Sequence, residues 1–201
     1  MKKGKISIFI PIIVVIILAA LGCFILVLVN LYKLFNPDQY IAPSGTTTYN
    51  STFGHFALNI PATWAYLDSG PRGNQHDMEE VSLIHSLSSP YLNPQVTILR
   101  KDFISGKLED VVNWGIARAQ GHEIYQQLSI EPYNTQNYAG YLNTYNTIFG
   151  PPWLERVNEC MDWYTIDKQV GYSFQFCALK VYWPCVKTTF DEMINSIELR
   201  N

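Results

Sequence analysis

The chain has 201 residues, of which 48% are hydrophobic and 15% charged, with a formal net charge of −3. Residues 1–35 carry four Lys and no acid, so the remainder holds 10 basic against 17 acidic residues, a formal −7. An acidic body without a basic cluster argues against nucleic acid as a partner, and against tight docking on an anionic lipid surface, because both need Lys and Arg near phosphates.

Residues Ile6 to Tyr32 contain no charge. At about 1.5 Å per residue such a stretch makes a rod of about 40 Å, against a bilayer core of about 30 Å. The pattern predicts a transmembrane signal-anchor helix over residues 6–34, with the lipid bilayer as its partner. Lys2, Lys3 and Lys5 precede it, which predicts a cytoplasmic residue 1–5 segment and a C-terminal part outside the cell membrane. A cleaved signal peptide fits less well, since Phe24 to Val29 continue the apolar run past Cys23. Residues 35–51, with Pro37, Pro43 and Ser44-Gly45-Thr46-Thr47-Thr48, read as a stalk. The remaining 52–201 segment is the size of one domain with its own core.

Phe56, Leu58 and Ile60 alternate with His55, Ala57 and Asn59, the period of a half-buried strand that Pro61 ends. Trp64 to Leu67, Val81 to Leu87 and Val96 to Leu99 read as further strands, the first two parted by a turn-rich 68–74 loop. Lys107 to Gln120 predicts a helix, because Leu108, Val111, Val112, Gly115 and Ala119 fall on one stripe; Ser105 is its expected cap. Ile124 to Ile130 and Tyr138 to Phe149 read as strands separated by Glu131-Pro132.

Glu155 to Ile166 and Gly171 to Leu179 predict a hairpin whose register follows from side-chain type. Setting Met161 opposite Phe176, Trp163 opposite Phe174 and Thr165 opposite Tyr172 gathers all six on one buried face. The other face then pairs Tyr164 with Ser173, Asp162 with Gln175, and Cys160 with Cys177. Val186, Phe190, Met193, Ile194 and Ile197 form a last helical stripe, capped by Thr188 or Thr189. This order predicts an α+β fold: a mostly antiparallel sheet with helices packed on it, behind one transmembrane helix.

Two segments carry a family resemblance. Phe56-Ala57-Leu58-Asn59-Ile60-Pro61-Ala62-Thr63-Trp64 resembles the opening of the PsbP-like superfamily (PsbP, DcrB and LpqN-type domains), and Phe190-Asp191-Glu192-Met193-Ile194-Asn195-Ser196-Ile197 resembles its closing helix. The resemblance implies a PsbP-like α/β/α sandwich over about residues 52–199. Its motifs are fold motifs, and it assigns no catalytic, metal or cofactor residue to this chain.

The residues themselves offer little chemistry. The sequence holds no G-x-S-x-G, H-E-x-x-H, G-x-x-x-x-G-K, G-x-G-x-x-G or C-x-x-C. His76-Asp77-Met78-Glu79-Glu80 is the densest ligand-like cluster, and reads first as a charged loop edge. Tyr141, Tyr145 and Phe149 share one strand face, and Tyr141 and Tyr145 are candidates for a partner surface. Among the cysteines, Cys160 with Cys177 is the disulfide the register suggests, and Cys177 with Cys185 is its rival. The expectation is a non-enzymatic binding or assembly module, without cofactor or metal, whose partner is another envelope or membrane protein. The alternative is a hydrolase or cation-dependent enzyme built on the His76–Glu80 edge.

Overall fold

The computed structural model describes residues 9–35, 45–68, 82–86, 94–103, 105–122, 124–149 and 156–200. The His76–Glu80 edge lies outside them. The chain divides into two units, Met1–Gln39 and Tyr40–Asn201.

The first unit contains α1, Phe9–Phe35. Its side chains are described from Val14 to Val29, all of them exposed. Among the described residues no helix is long and apolar enough to cross a membrane. The backbone of α1 extends for 27 residues.

The second unit is built on two antiparallel sheets. Seven strands form the larger one: β3 (Trp64–Asp68), β4 (Ser82–Ser86), β5 (Gln95–Asp102), β6 (Tyr125–Pro132), β7 (Gly140–Phe149), β8 (Arg156–Asp167) and β9 (Val170–Leu179), in the spatial order β3-β4-β5-β9-β8-β7-β6. The smaller sheet has β1 (Thr46–Ser51), β2 (Phe56–Pro61) and β10 (Glu198–Leu199), with β2 in the middle. Helix α2 is Leu108–Gln120 and α3 is Trp183–Asn195. The fold is α+β.

The β8–β9 hairpin forms in the register that its aromatic residues demand, with Met161 opposite Phe176, Trp163 opposite Phe174 and Cys160 opposite Cys177. The turn is only Lys168-Gln169, and Lys168 takes a left-handed φ of 57°. One face of this hairpin is the main core. Phe174 meets Phe56 edge-on at 5.4 Å and Phe176 meets Phe190 of α3 at 5.2 Å. Burying a side chain of this size is worth about 1.5–3 kcal/mol, so these rings dominate the stability of the unit.

The opposite face is covered by α2. Its underside is Val111, Val112, Gly115 and Ala119, all buried. Gly115 lies so close to the Tyr164 ring that a Cβ there would overlap it. Glycine is therefore required by approach, not by backbone conformation. The sandwich is unequal: one helix covers this face, while α3 and the small sheet together cover the other.

Several expectations are corrected. The stalk assigned to 35–51 is shorter, because Thr46–Ser51 is a strand paired along its length with β2. Its β-branched threonines favour extended backbone, and Tyr49 is buried against Phe56 and Tyr66. Glu131-Pro132 does not interrupt β6, which runs through Pro132 at the edge of the sheet, where a missing N–H costs no ladder bond. Neither expected helix cap forms. The N-cap of α2 is Lys107, without a side-chain bond, while the Ser105 hydroxyl bonds Asp110 and accepts from Lys107 N–H. Helix α3 starts earlier than the stripe suggests, at Trp183, with Pro184 at its first turn. Proline there is preorganised for a helix and lacks a donor that would go unused.

Candidate functional site

Strand alternation sends Asn143 and Tyr145 of β7, Cys160, Asp162 and Tyr164 of β8, and Gln175 and Cys177 of β9 towards α2. The result is a polar layer inside the domain, with a carboxyl group at its centre. Asp162 is 2% exposed. Tyr164 Oη donates to Asp162 Oδ2 at 3.1 Å, and Tyr145 Oη lies 3.3 Å from both carboxyl oxygens. Gln175 Nε2 donates to Tyr145 Oη at 2.6 Å, Asn143 Nδ2 donates to Tyr164 Oη at 3.3 Å, and Tyr125 Oη donates to Asn143 Oδ1 at 3.3 Å.

The electrostatics follow from burial. Loss of water pushes the Asp162 carboxyl up to about 7, against the smaller opposing pull of the Tyr164 and Tyr145 hydroxyls, the Arg118 charge and Gln175. Burial, then the neighbouring Asp162 charge, holds the phenols of Tyr145 and Tyr164 above their ordinary range. Tyr125 is raised for the same leading reason, with Asn143 opposing. His122, stacked on Tyr145 at 6.4 Å, is lowered by burial and then by Arg118.

An acid that titrates near neutrality, ringed by donors, has the ingredients of general acid–base chemistry. Geometry decides against that use. Tyr145 and Tyr164 are fully buried and Asp162 nearly so, all under a seated helix, so no substrate atom comes within hydrogen-bond reach in this conformation. The layer is a closed hydrogen-bond network, and such networks fix one packing arrangement by leaving few alternatives.

The candidate residues scatter. Tyr145, expected on a partner surface, is 0% exposed, because α2 and Tyr125 cover that face; this corrects the expectation. Tyr141 is half-buried against the cluster of Val111, Val112 and Tyr164. Cys160 and Cys177 are joined, with their sulfurs 2.09 Å apart. The rival partner Cys185 is exposed on α3, which packs on the opposite face, and it lines a groove of about 380 Å³ with Thr46, Asn59, Thr188 and Glu192. Among the described residues no three His, Cys, Asp or Glu side chains gather as metal ligands.

Asp162 received no role from sequence reasoning. The signal was present: alternation put Cys160, Asp162 and Tyr164 on the face away from the aromatic core, and the small-residue stripe of Lys107–Gln120 needed a sheet face to cover.

No family model matches the chain, and no curated relative matches it. Solved structures do. The cyanobacterial PsbP (CyanoP) from Synechocystis sp. PCC 6803 superposes with a TM-score of 0.57 at 16% identity, covering 80% of this chain and 95% of that one. LpqN of Mycobacterium tuberculosis, described as involved in cell envelope biogenesis, gives 0.55 at 8% identity over 78% and 91%. The Saccharomyces cerevisiae Ran-binding protein Mog1p gives 0.51 at 8% identity over 78% and 96%. The likeness is one of fold.

Proposed function

We propose that this chain is a membrane-tethered, extracytoplasmic, non-enzymatic module that binds or assembles with another envelope or membrane protein. The observation that carries the reading is α1, whose described side chains from Val14 to Val29 present no polar face; Val15, Ile16, Leu18 and Leu26 are each more than 60% exposed. A helix that is apolar all round needs apolar surroundings. Together with the uncharged Ile6 to Tyr32 run, this supports a bilayer span over 6–34 in the cell membrane. Lys2, Lys3 and Lys5 support an inside N-terminus and an outside domain.

The binding reading rests on the polar layer. Its acid is sealed beneath α2, so its hydrogen bonds serve the interior of the domain rather than a substrate. The fold likeness to LpqN, a protein described as involved in cell envelope biogenesis, supports an envelope setting.

Full-length protein with a C-terminal tag, crosslinked in intact cells and purified from their membranes, tests this. The expectation is a tag cleaved by external protease, resistance to alkaline carbonate extraction, and one recurrent membrane or envelope partner. A tag protected until lysis overturns the orientation, and release by carbonate overturns the span. Turnover of a substrate by the purified protein overturns the non-enzymatic module.

A further inference from the structure

We propose that α2 is a proton-controlled cover over the β7–β9 face, seated while Asp162 is protonated and released when that carboxyl ionises. The geometry has three parts. First, Asp162 lies directly under the helix, and its hydrogen-bonding neighbours Tyr145 and Tyr164 are neutral hydroxyls. A carboxylic acid is well served there, whereas a carboxylate loses its water without gaining a cation in hydrogen-bond contact among the described residues. Second, the fully buried underside of α2 is made of small and medium residues, Val111, Val112, Gly115 and Ala119, while its larger Leu108, Trp114 and Ile116 pack only partly buried at the margin. Third, glycines bracket it: Gly106, with a φ of 61°, precedes it and Gly121 follows it. The chain can pivot at both ends while Phe103 N–H stays bonded to Gln169 O.

Among the described residues, the titratable and charged groups around Asp162 are few. Tyr145 of β7 and Tyr164 of β8 bond it, and Tyr125 of β6 lies behind Tyr145; β9 contributes the neutral Gln175. Arg118 of α2 favours the ionised form, yet it is exposed and rides on the moving element. His122, just past α2, stacks on Tyr145 and is biased towards its neutral form, so it adds no strong counter-charge. Burial outweighs all of these, and the carboxyl stays protonated up to about pH 7. Opening restores its water and its ordinary acidity. Rising pH therefore drives opening, and the effect levels off once the covered form also ionises. The domain would thereby convert an external pH change into access to the Tyr145–Tyr164 face.

Hydrogen exchange on the full chain in mild detergent, with rates corrected for the intrinsic pH effect, tests the proposal. One linked proton predicts that opening of α2 rises by up to about tenfold per pH unit from about pH 5 to about pH 7, then flattens. Peptides from β9 should keep higher protection than α2 at every pH, because they open only when the whole domain unfolds. In Asp162→Asn the α2 slope should vanish, and in His122→Gln it should persist. A flat α2 profile in the wild type, protection of α2 equal to that of β9 at every pH, a slope retained in Asp162→Asn or a slope lost in His122→Gln each overturns the idea. Should Asp162→Asn fail to fold, the wild-type contrast between α2 and β9 still decides.

Discussion

Replacing Asp162 with Asn should stabilise the domain at high pH and do little at low pH. The fold holds the Asp162 proton to about pH 7, whereas an ordinary aspartate releases it at 3.8. A gap of about three pH units at about 1.36 kcal/mol each amounts to about 4 kcal/mol. The sign follows from linkage. The folded state binds the proton more tightly than the unfolded chain, so this stability is complete below about pH 3.8 and is lost as pH rises to about 7. Asparagine is a near-isostere that never ionises, and the Tyr145 and Tyr164 hydroxyls can rotate to suit its amide. Asp162→Asn should therefore exceed wild type by up to about 4 kcal/mol at about pH 8 and match it within about 1 kcal/mol at about pH 4. His122 slopes the other way: its lowered value contributes stability present above its ordinary 6.5 and lost as pH falls. Both proteins share that term, so the difference between them isolates the carboxyl. Urea unfolding followed by tryptophan fluorescence at the two pH values measures it. A variant destabilised by the same amount at both would show that Asp162 is ionised and useful in the fold, refuting the reasoning.

Gly115→Ala should cost about 1–3 kcal/mol by driving a methyl into the Tyr164 ring, although alanine is the better helix former; thermal melts by circular dichroism check it, and an unchanged melt refutes the tight approach. Tyr145→Phe removes a bond to Asp162 and the acceptor for Gln175, so a loss of about 1–3 kcal/mol is expected in urea, together with an upward move of the Asp162 titration followed by carboxyl NMR. Reducing the bridge between Cys160 and Cys177, 17 residues apart, should remove about 3 kcal/mol. Peptide mapping of non-reduced protein must find those two linked and Cys185 alkylated; free alkylation of all three counts against the pairing.

The sequence revealed much of this fold because its strands are two-faced in different ways. In β8 and β9 the large aromatic residues fall on alternate positions, so only one register buries them together, and strand order within the hairpin is fixed with it. The α2 stripe was equally readable. What escaped was long-range. Thr46–Ser51 has the composition of a linker and becomes a strand only because β2 offers it an edge. Likewise, the α3 start hides behind a proline that reads as a breaker. The buried acid escaped for a related reason: Asp162 looks solvent-facing until a helix distant in sequence is laid over it. Tyr145 failed in the opposite direction, since an aromatic on the polar face looks like a contact surface until the same helix is in place.

The closing strand has a consequence for how the chain is made. β10 is only Glu198–Leu199, yet it fills the free edge of β2 opposite Ala57 and Phe56, and Arg200 N–H bonds His55 O. A nascent chain emerges N-terminus first, so Phe56, Leu58 and Ile60 are synthesised about 140 residues before the strand that completes their sheet. Contacts so distant along the chain form slowly. During that interval β2 is an open edge with an apolar face, the kind of surface that recruits other strands. Glu198 and Leu199 therefore act as a seal on biogenesis, and a chain lacking them would leave β2 able to pair with its neighbours instead.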